Sequence, residues 1–257
     1  MSNATLPFVR RLEAVGMRAW PSQQSSYDGA WLNRISPTQD GRRINSVTPL
    51  DPGDRKDVAR RLDEAGELFS MAGRPLVVRE TPLIPTELLT LLTERKWQSE
   101  GTSFVQTMPL KDVDLSAAKE QLSYRDISRW VEHFTAIRKR DESQAAPLAQ
   151  AIEGIPAEVG LFMTGGDDEQ PLATAMAVHD GDMVGLFEVA VAAHAQRRGH
   201  AMSLVKSALL WAQKRGARTA WLQVEADNEP ALALYGKLGF TTAYTYRYWR
   251  AAAEQGS

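Results

Sequence analysis

The sequence predicts a mixed α/β protein built from two halves, and three observations carry that reading. Short strand-like apolar runs, such as residues 184–191 and 219–224, alternate with longer segments whose apolar residues recur at helical spacing, such as residues 56–72 and 201–212. Proline and glycine clusters, Pro49, Pro52 and Gly53 among them, punctuate the alternation. The stretch 111–123 is polar and without period, which divides the chain into residues 1–112 and 113–257.

Residues 27–35 and 43–50 read as the first strands. Val58, Leu62, Ala65, Leu68 and Phe69 form a helical stripe over 56–72. A short strand at 76–78 is closed by Pro82, a helix over 86–96 starts after Pro85, and 103–110 alternates as a strand. In the second half, 127–140 is helical and 148–152 adds a short helical turn. Strands at 157–164 and 171–179 are joined through Gly165-Gly166-Asp167-Asp168 as a hairpin. Asp180-Gly181-Asp182 turns the chain into the strand 184–191, which the helix 201–212 and the strand 219–224 follow. Residues 230–238 make a helix with Pro230 in its first turn and Gly239 past its end, and 240–249 is a final aromatic-rich strand. The segments 89–97 and 233–240 share a pattern of short helix, basic residue and aromatic, a weak sign of internal repetition.

Composition narrows the class. Hydrophobic content of 43% with 24% charged residues is enough for a soluble globular core. A net charge of −2 argues against a generic nucleic-acid binder. No apolar run approaches the roughly 18–20 residues that span a bilayer, and no secretory pattern opens the chain. The absence of cysteine rules out disulfides, thiolate metal sites and a cysteine nucleophile. His133, His179, His194 and His200 lack the paired spacing of a zinc helix, so no metal is expected. A cytoplasmic enzyme or binding protein fits best.

The chemistry concentrates in Gln196-Arg197-Arg198-Gly199-His200-Ala201, between a strand and a helix. The first N–H groups of a helix have no intrahelical partner and lie at the positive end of its dipole. Gly199 lets a bulky ligand approach the backbone, Ala201 keeps the next wall low, and Arg197 and Arg198 add positive charge. This is a cradle for a diphosphate. A phosphate loop of the Gly-Lys-Ser/Thr type is excluded, because that triplet does not follow the glycine.

Residues 184–249 resemble the core of a GNAT-superfamily N-acetyltransferase. Gln196, Gly199 and Ala201 meet the superfamily's Q/R-x-x-G-x-G/A signature, and Asn228 followed by Leu234-Tyr235 and Leu238-Gly239-Phe240 matches its second motif. The resemblance is clear over about the last 130 residues and loose in the first half, which looks like a degenerate copy lacking the cradle. It implies two tandem GNAT-like domains with acetyl-CoA as the only cosubstrate. It also implies direct transfer of acetyl to a primary amine on a small molecule or peptide. Backbone groups of Val189 and Val191 would pair with the pantetheine arm, Arg197, Arg198, Gly199, His200 and Ala201 would hold the pyrophosphate, and Asn228 would bind a pantetheine amide. Tyr235 resembles the general acid. Glu188 is the candidate base; strand alternation points it away from the face shared by Phe187 and Val189. Glu225 is a second carboxylate where the strands separate. A substrate-binding role for Glu188 and a packing role for Tyr235 remain open. His179 and His194 read as solvated, Arg42 and Arg43 as hairpin surface, and Tyr244, Tyr246, Tyr248 and Trp249 as core or acceptor-pocket wall. The alternative function is a non-catalytic acyl-CoA-binding or regulatory module. A monomer acting as an internal pseudo-dimer, or a homodimer, is expected.

Overall fold

The sequence reading assigns nothing before residue 27, yet the chain opens with a helix, α1, Leu6–Ala19. Pro7 sits in its first turn, and Val9, Leu12, Val15 and Ala19 form a buried stripe at helical spacing. In this computed structural model, which describes residues 4–165 and 170–252, the first half continues with β1 (Gln24–Asp28), β2 (Trp31–Ile35) and β3 (Ser46–Pro49). Then come α2 (Val58–Met71), β4 (Val77–Glu80), α3 (Thr86–Glu94) and β5 (Gln98–Pro109). The second half contains α4 (Ile127–Arg138), α5 (Ala145–Glu153), β6 (Glu158–Thr164), β7 (Ala173–Asp180) and β8 (Met183–Val191). It ends with α6 (His200–Gln213), β9 (Thr219–Glu225), α7 (Glu229–Leu238) and β10 (Thr241–Arg250).

Two strand assignments need correction. Residues 27–35 are not one strand: Gly29, at φ +56°, turns the chain between β1 and β2, which pair antiparallel. The strand expected over 43–50 begins only at Ser46, because residues 42–44 form a turn. The hairpin between β6 and β7 is present; of its expected turn, residues 166–168 lie outside the described residues.

All ten strands belong to one sheet, ordered β1-β2-β3-β4-β10-β5-β9-β8-β7-β6. Each half contributes one parallel pair, β3 with β4 and β8 with β9. The last strands of the halves are exchanged: β10 runs antiparallel between β4 and β5, and β5 pairs in turn with β9. One core, centred on α1, α4 and α5, covers one face of the second half's strands. Another, under α6 and α7, covers the opposite face, and a third lies under α2 and α3.

The helix that the sequence reading omits closes the seam. Glu13 on α1 is buried, and Arg79 on β4 donates to both its oxygens at 2.9 and 3.0 Å. Tyr244 on β10 donates to Glu13 at 2.6 Å, and the Arg79 guanidinium stacks 3.6 Å from the Tyr246 ring. Burial pushes the Glu13 carboxyl up, but the charge and hydrogen bonds of Arg79 outweigh it and hold it below its ordinary 4.5. A single buried, fully bonded group therefore links α1, β4 and β10.

Candidate functional site

The site begins where two parallel strands part. β8 and β9 pair from Met183 with Thr219 to Leu186 with Leu222 and no further. Beyond that point residues 187–191 and 223–225 diverge and leave strand edges facing a gap. The divergence has a local cause on β8: the β7–β8 register shifts between Thr174 and Met176, and Glu188 takes φ +47°. A non-glycine residue in the left-handed region costs roughly 1–3 kcal/mol and persists where its surroundings impose it. Lower in the strand, Gly185 makes room for Trp221, since a Cβ there would stand 2.6 Å from the indole.

The bulge corrects the orientation expected for Glu188. Regular alternation would send it away from Phe187 and Val189, but all three line one cleft of about 530 Å³. Val189, Asn228 and Tyr235 share that cleft, and Glu225 stands exposed at its side. A hollow of similar size between α1 and the β1–β2 hairpin, about 550 Å³, contains none of these residues.

Asn228 and Tyr235 are placed by the ends of α7. The Asn228 Oδ1 accepts from Ala231 N at 3.2 Å and caps the helix, so that oxygen already has a partner. At the other end Gly239 is left-handed, and Phe240 N donates to Tyr235 O, closing the helix C-terminus. Tyr235 packs edge-on to Phe240 at 5.7 Å, and burial pushes its phenol up to about 12. Its hydroxyl has no protein partner among the described residues, so the proton it keeps faces the cleft.

The loop from β8 to α6 lies past the cleft. Arg197 and Gly199 both have positive φ, +63° and +83°, and α6 starts at His200. Among the described residues, no acceptor meets the backbone N–H groups of Arg197, Arg198, Gly199, His200 or Ala201. A Cβ at Gly199 would meet nothing within 4 Å, so the backbone conformation, rather than crowding, demands glycine there. His200 is half-buried with Nε2 unpaired, and Gln196 is exposed. The structure thus gathers Glu188, Val189, Asn228 and Tyr235 into the cleft and leaves Val191 and 196–201 on the continuing strand and loop.

The opposite wall comes from elements that carry no motif. Trp20 at the end of α1, Arg42 and Arg43 before β3, Tyr246 and Tyr248 on β10, and Arg138 and Arg140 at the end of α4 face the same space. Arg42 pairs with Glu100 at 3.3 Å, whereas Arg43, read from sequence as hairpin surface, stacks over Trp20 and Phe187, each 5.7 Å away. His179, expected to be solvated, is half-buried beside Trp211. No group of three or more His, Asp or Glu able to hold a metal occurs among the described residues, and no helix there is long and apolar enough to cross a membrane.

Comparison with known proteins bears on the family and the fold. Residues 8–249 match the family model described as "Probable histone acetyltransferase Rv0428c C-terminal". The uncharacterized N-acetyltransferase YobR of Bacillus subtilis is 22% identical over 93% of this chain and 97% of its own length. The ribosomal protein bS18-alanine N-acetyltransferase of Escherichia coli K12 is 42% identical, over 24% of this chain and 42% of that enzyme. Among solved structures, a GCN5-related N-acetyltransferase from Kribbella flavida superposes with a TM-score of 0.72 at 18% identity, covering 100% of this chain and 98% of that one. A tandem GNAT protein from the clavulanic acid biosynthesis pathway gives 0.66 at 14% identity, over 96% and 89%.

Proposed function

The chain belongs to the Rv0428c C-terminal family and to the GNAT superfamily of N-acetyltransferases, and we propose that it carries acetyl from acetyl-CoA directly to a primary amine in the cleft between β8 and β9. The observation that carries this reading is the succession of three features along β8, its cleft and the loop that continues from it. These are the splayed strand edge, the partnerless N–H groups of Arg197 to Ala201, and the free Tyr235 hydroxyl.

The loop residues fit the pyrophosphate of coenzyme A. Their N–H groups have no partner, space is open over Gly199, and Arg197 and Arg198 supply charge-assisted hydrogen bonds. The backbone of Val189 and Val191 takes the extended pantetheine arm as an added strand. Asn228, its Oδ1 engaged by the helix, offers its amide N–H₂ to the same arm.

Holding amine and thioester together supplies most of the acceleration. An N–H of the diverging part of β8 stabilises the oxyanion at the attacked carbonyl. Glu188, held at the bulge with its carboxylate unpaired, receives the proton of the incoming ammonium, directly or through water. Tyr235 stays protonated across the working pH range and donates to the departing sulfur. Burial disfavours the departing thiolate and the phenolate alike, so Tyr235 shares its proton with the sulfur as the C–S bond breaks and regains one from solvent at the open side of the cleft.

Replacing Tyr235 by Phe removes only that proton. Thiol release from acetyl-CoA should slow about 100-fold, within the usual range for a general acid, while coenzyme A affinity measured by calorimetry stays unchanged. An undiminished rate would remove the acid role. A matching loss of affinity would make Tyr235 a packing residue.

A further inference from the structure

The chain pairs most of its arginines with carboxylates. Arg10 meets Asp51, Arg18 meets Asp180, Arg61 meets Asp28 and Asp54, Arg95 meets Asp63, and Arg247 meets Glu80. Arg43, Arg138 and Arg140 meet none among the described residues, and all three line the cleft that contains Glu188 and Tyr235. Arg197 and Arg198 are also without carboxylates, at the loop that takes the pyrophosphate.

Arg43 is the most specific of the three. It is half-buried, and its guanidinium carbon lies 5.7 Å from the ring centres of both Trp20 and Phe187, themselves stacked at 5.8 Å. Contact with two aromatic rings holds the cation in place without neutralising it, which leaves its N–H groups for a planar or tetrahedral oxyanion. Arg140 is similarly laid over Phe134 at 5.0 Å, at the rim. The positive field reaches the wall: burial raises the Tyr246 phenol, yet Arg79 and then Arg43 outweigh it and bring the phenol below its ordinary value.

Opposite charge stands close by in sequence. Glu188 follows Phe187, the ring on which Arg43 lies, and its carboxylate has no partner among the described residues. A carboxylate and a guanidinium that face one cavity without pairing leave room for a molecule carrying both complements. A polyamine could place one ammonium at Glu188 or at the exposed Glu225. Its further charges would meet the three unpaired arginines, which disfavours it against an amine that carries an anion.

We infer that the acceptor is an amine bearing its own anionic group, a carboxylate or a phosphate, whose nitrogen lies toward Glu188 and whose anion is gripped by Arg43 with Arg138 and Arg140 at the rim. This rests on the acetyltransferase reading above and adds the substrate class to it.

Thiol release from acetyl-CoA tests the inference with matched acceptors: amino acids against their amides, an amino-sugar phosphate against the free amino sugar, and spermidine as a cationic amine. An anionic member should exceed its neutral partner at least tenfold in kcat/KM, and the two pairs distinguish carboxylate from phosphate. Arg43→Gln should raise KM for that acceptor about tenfold or more, as expected for losing a charged hydrogen bond, and Arg43→Lys should recover part of it. The KM for acetyl-CoA and the melting temperature should hold in both variants. Neutral amines turned over as well as the anionic ones, or an Arg43→Gln enzyme with unaltered preference, would overturn this inference and leave the acetyltransferase reading intact. Absence of thiol release with every amine would overturn both.

Discussion

The two halves run through the same order of strand, helix, strand, helix and strand, yet they differ in what surrounds the entrance of the leading helix. β3, α2, β4, α3 and β5 correspond in order to β8, α6, β9, α7 and β10, and each half has its parallel pair. Both leading helices are preceded by a residue in the left-handed conformation, Asp57 at φ +51° before α2 and Gly199 at φ +83° before α6. Around Gly199 are arginines and N–H groups without partners. Around Asp57 are Asp51 and Asp54, already engaged: Asp51 accepts from Gly53 N at 2.9 Å, and Asp54 accepts from Ala30 N at 2.8 Å and from Arg61. The first half surrounds its helix entrance with carboxylates of its own, and the second surrounds its entrance with arginines that no carboxylate meets among the described residues. The fold supplies a helix N-terminus twice, and loop chemistry decides which one binds an anion.

The largest expected effect concerns what joins the halves. Glu13→Gln leaves the Arg79 guanidinium buried without its counter-charge, which should cost about 3–5 kcal/mol and lower the melting temperature by on the order of 10 °C. Because the folded carboxyl titrates below its ordinary 4.5, the stability it confers is complete above that value and is lost as pH falls through the lower folded value. Acid melting curves of wild type and Glu13→Gln should therefore converge at low pH. Unchanged melting at neutral pH would mean that the exchanged strands alone hold the seam.

Transplanting chemistry between the halves comes next. Gly199→Asp gives α6 the residue that precedes α2, with open space for its side chain and a backbone strain that Asp57 already bears at φ +51°. The helix should persist while coenzyme A affinity falls roughly 100-fold, the scale of losing charged hydrogen bonds. Retained affinity would show that the arginines, rather than the open backbone, do the binding.

Local physics made much of this molecule legible in its sequence. The stripe of α2, the proline and glycine bounds of α7, and the β8–loop–α6 unit follow from spacing and capping within a few residues. α1 has a legible stripe as well, Val9, Leu12, Val15 and Ala19 at helical spacing. The exchange of β5 and β10 had no local signal, because strand partners more than a hundred residues apart leave no period in either segment. Nor did the bulge at Glu188: an Asp-Gly pair marks the turn after Asp28, but nothing marks a glutamate at φ +47°. The far wall of the cleft shared that difficulty. Arg43 is an ordinary surface residue until the halves meet, as Arg138 and Arg140 are until α4 packs against β8, and only then do they line the cleft with Glu188.

The most direct test of the comparison is the stoichiometry of coenzyme A binding, measured by titration calorimetry on wild type, Gly199→Asp and Asp57→Asn. The account predicts one site per chain, weakened by Gly199→Asp and untouched by Asp57→Asn, which should alter stability by no more than about 1 kcal/mol. Two sites per chain, or a single site lost on changing Asp57, would contradict it.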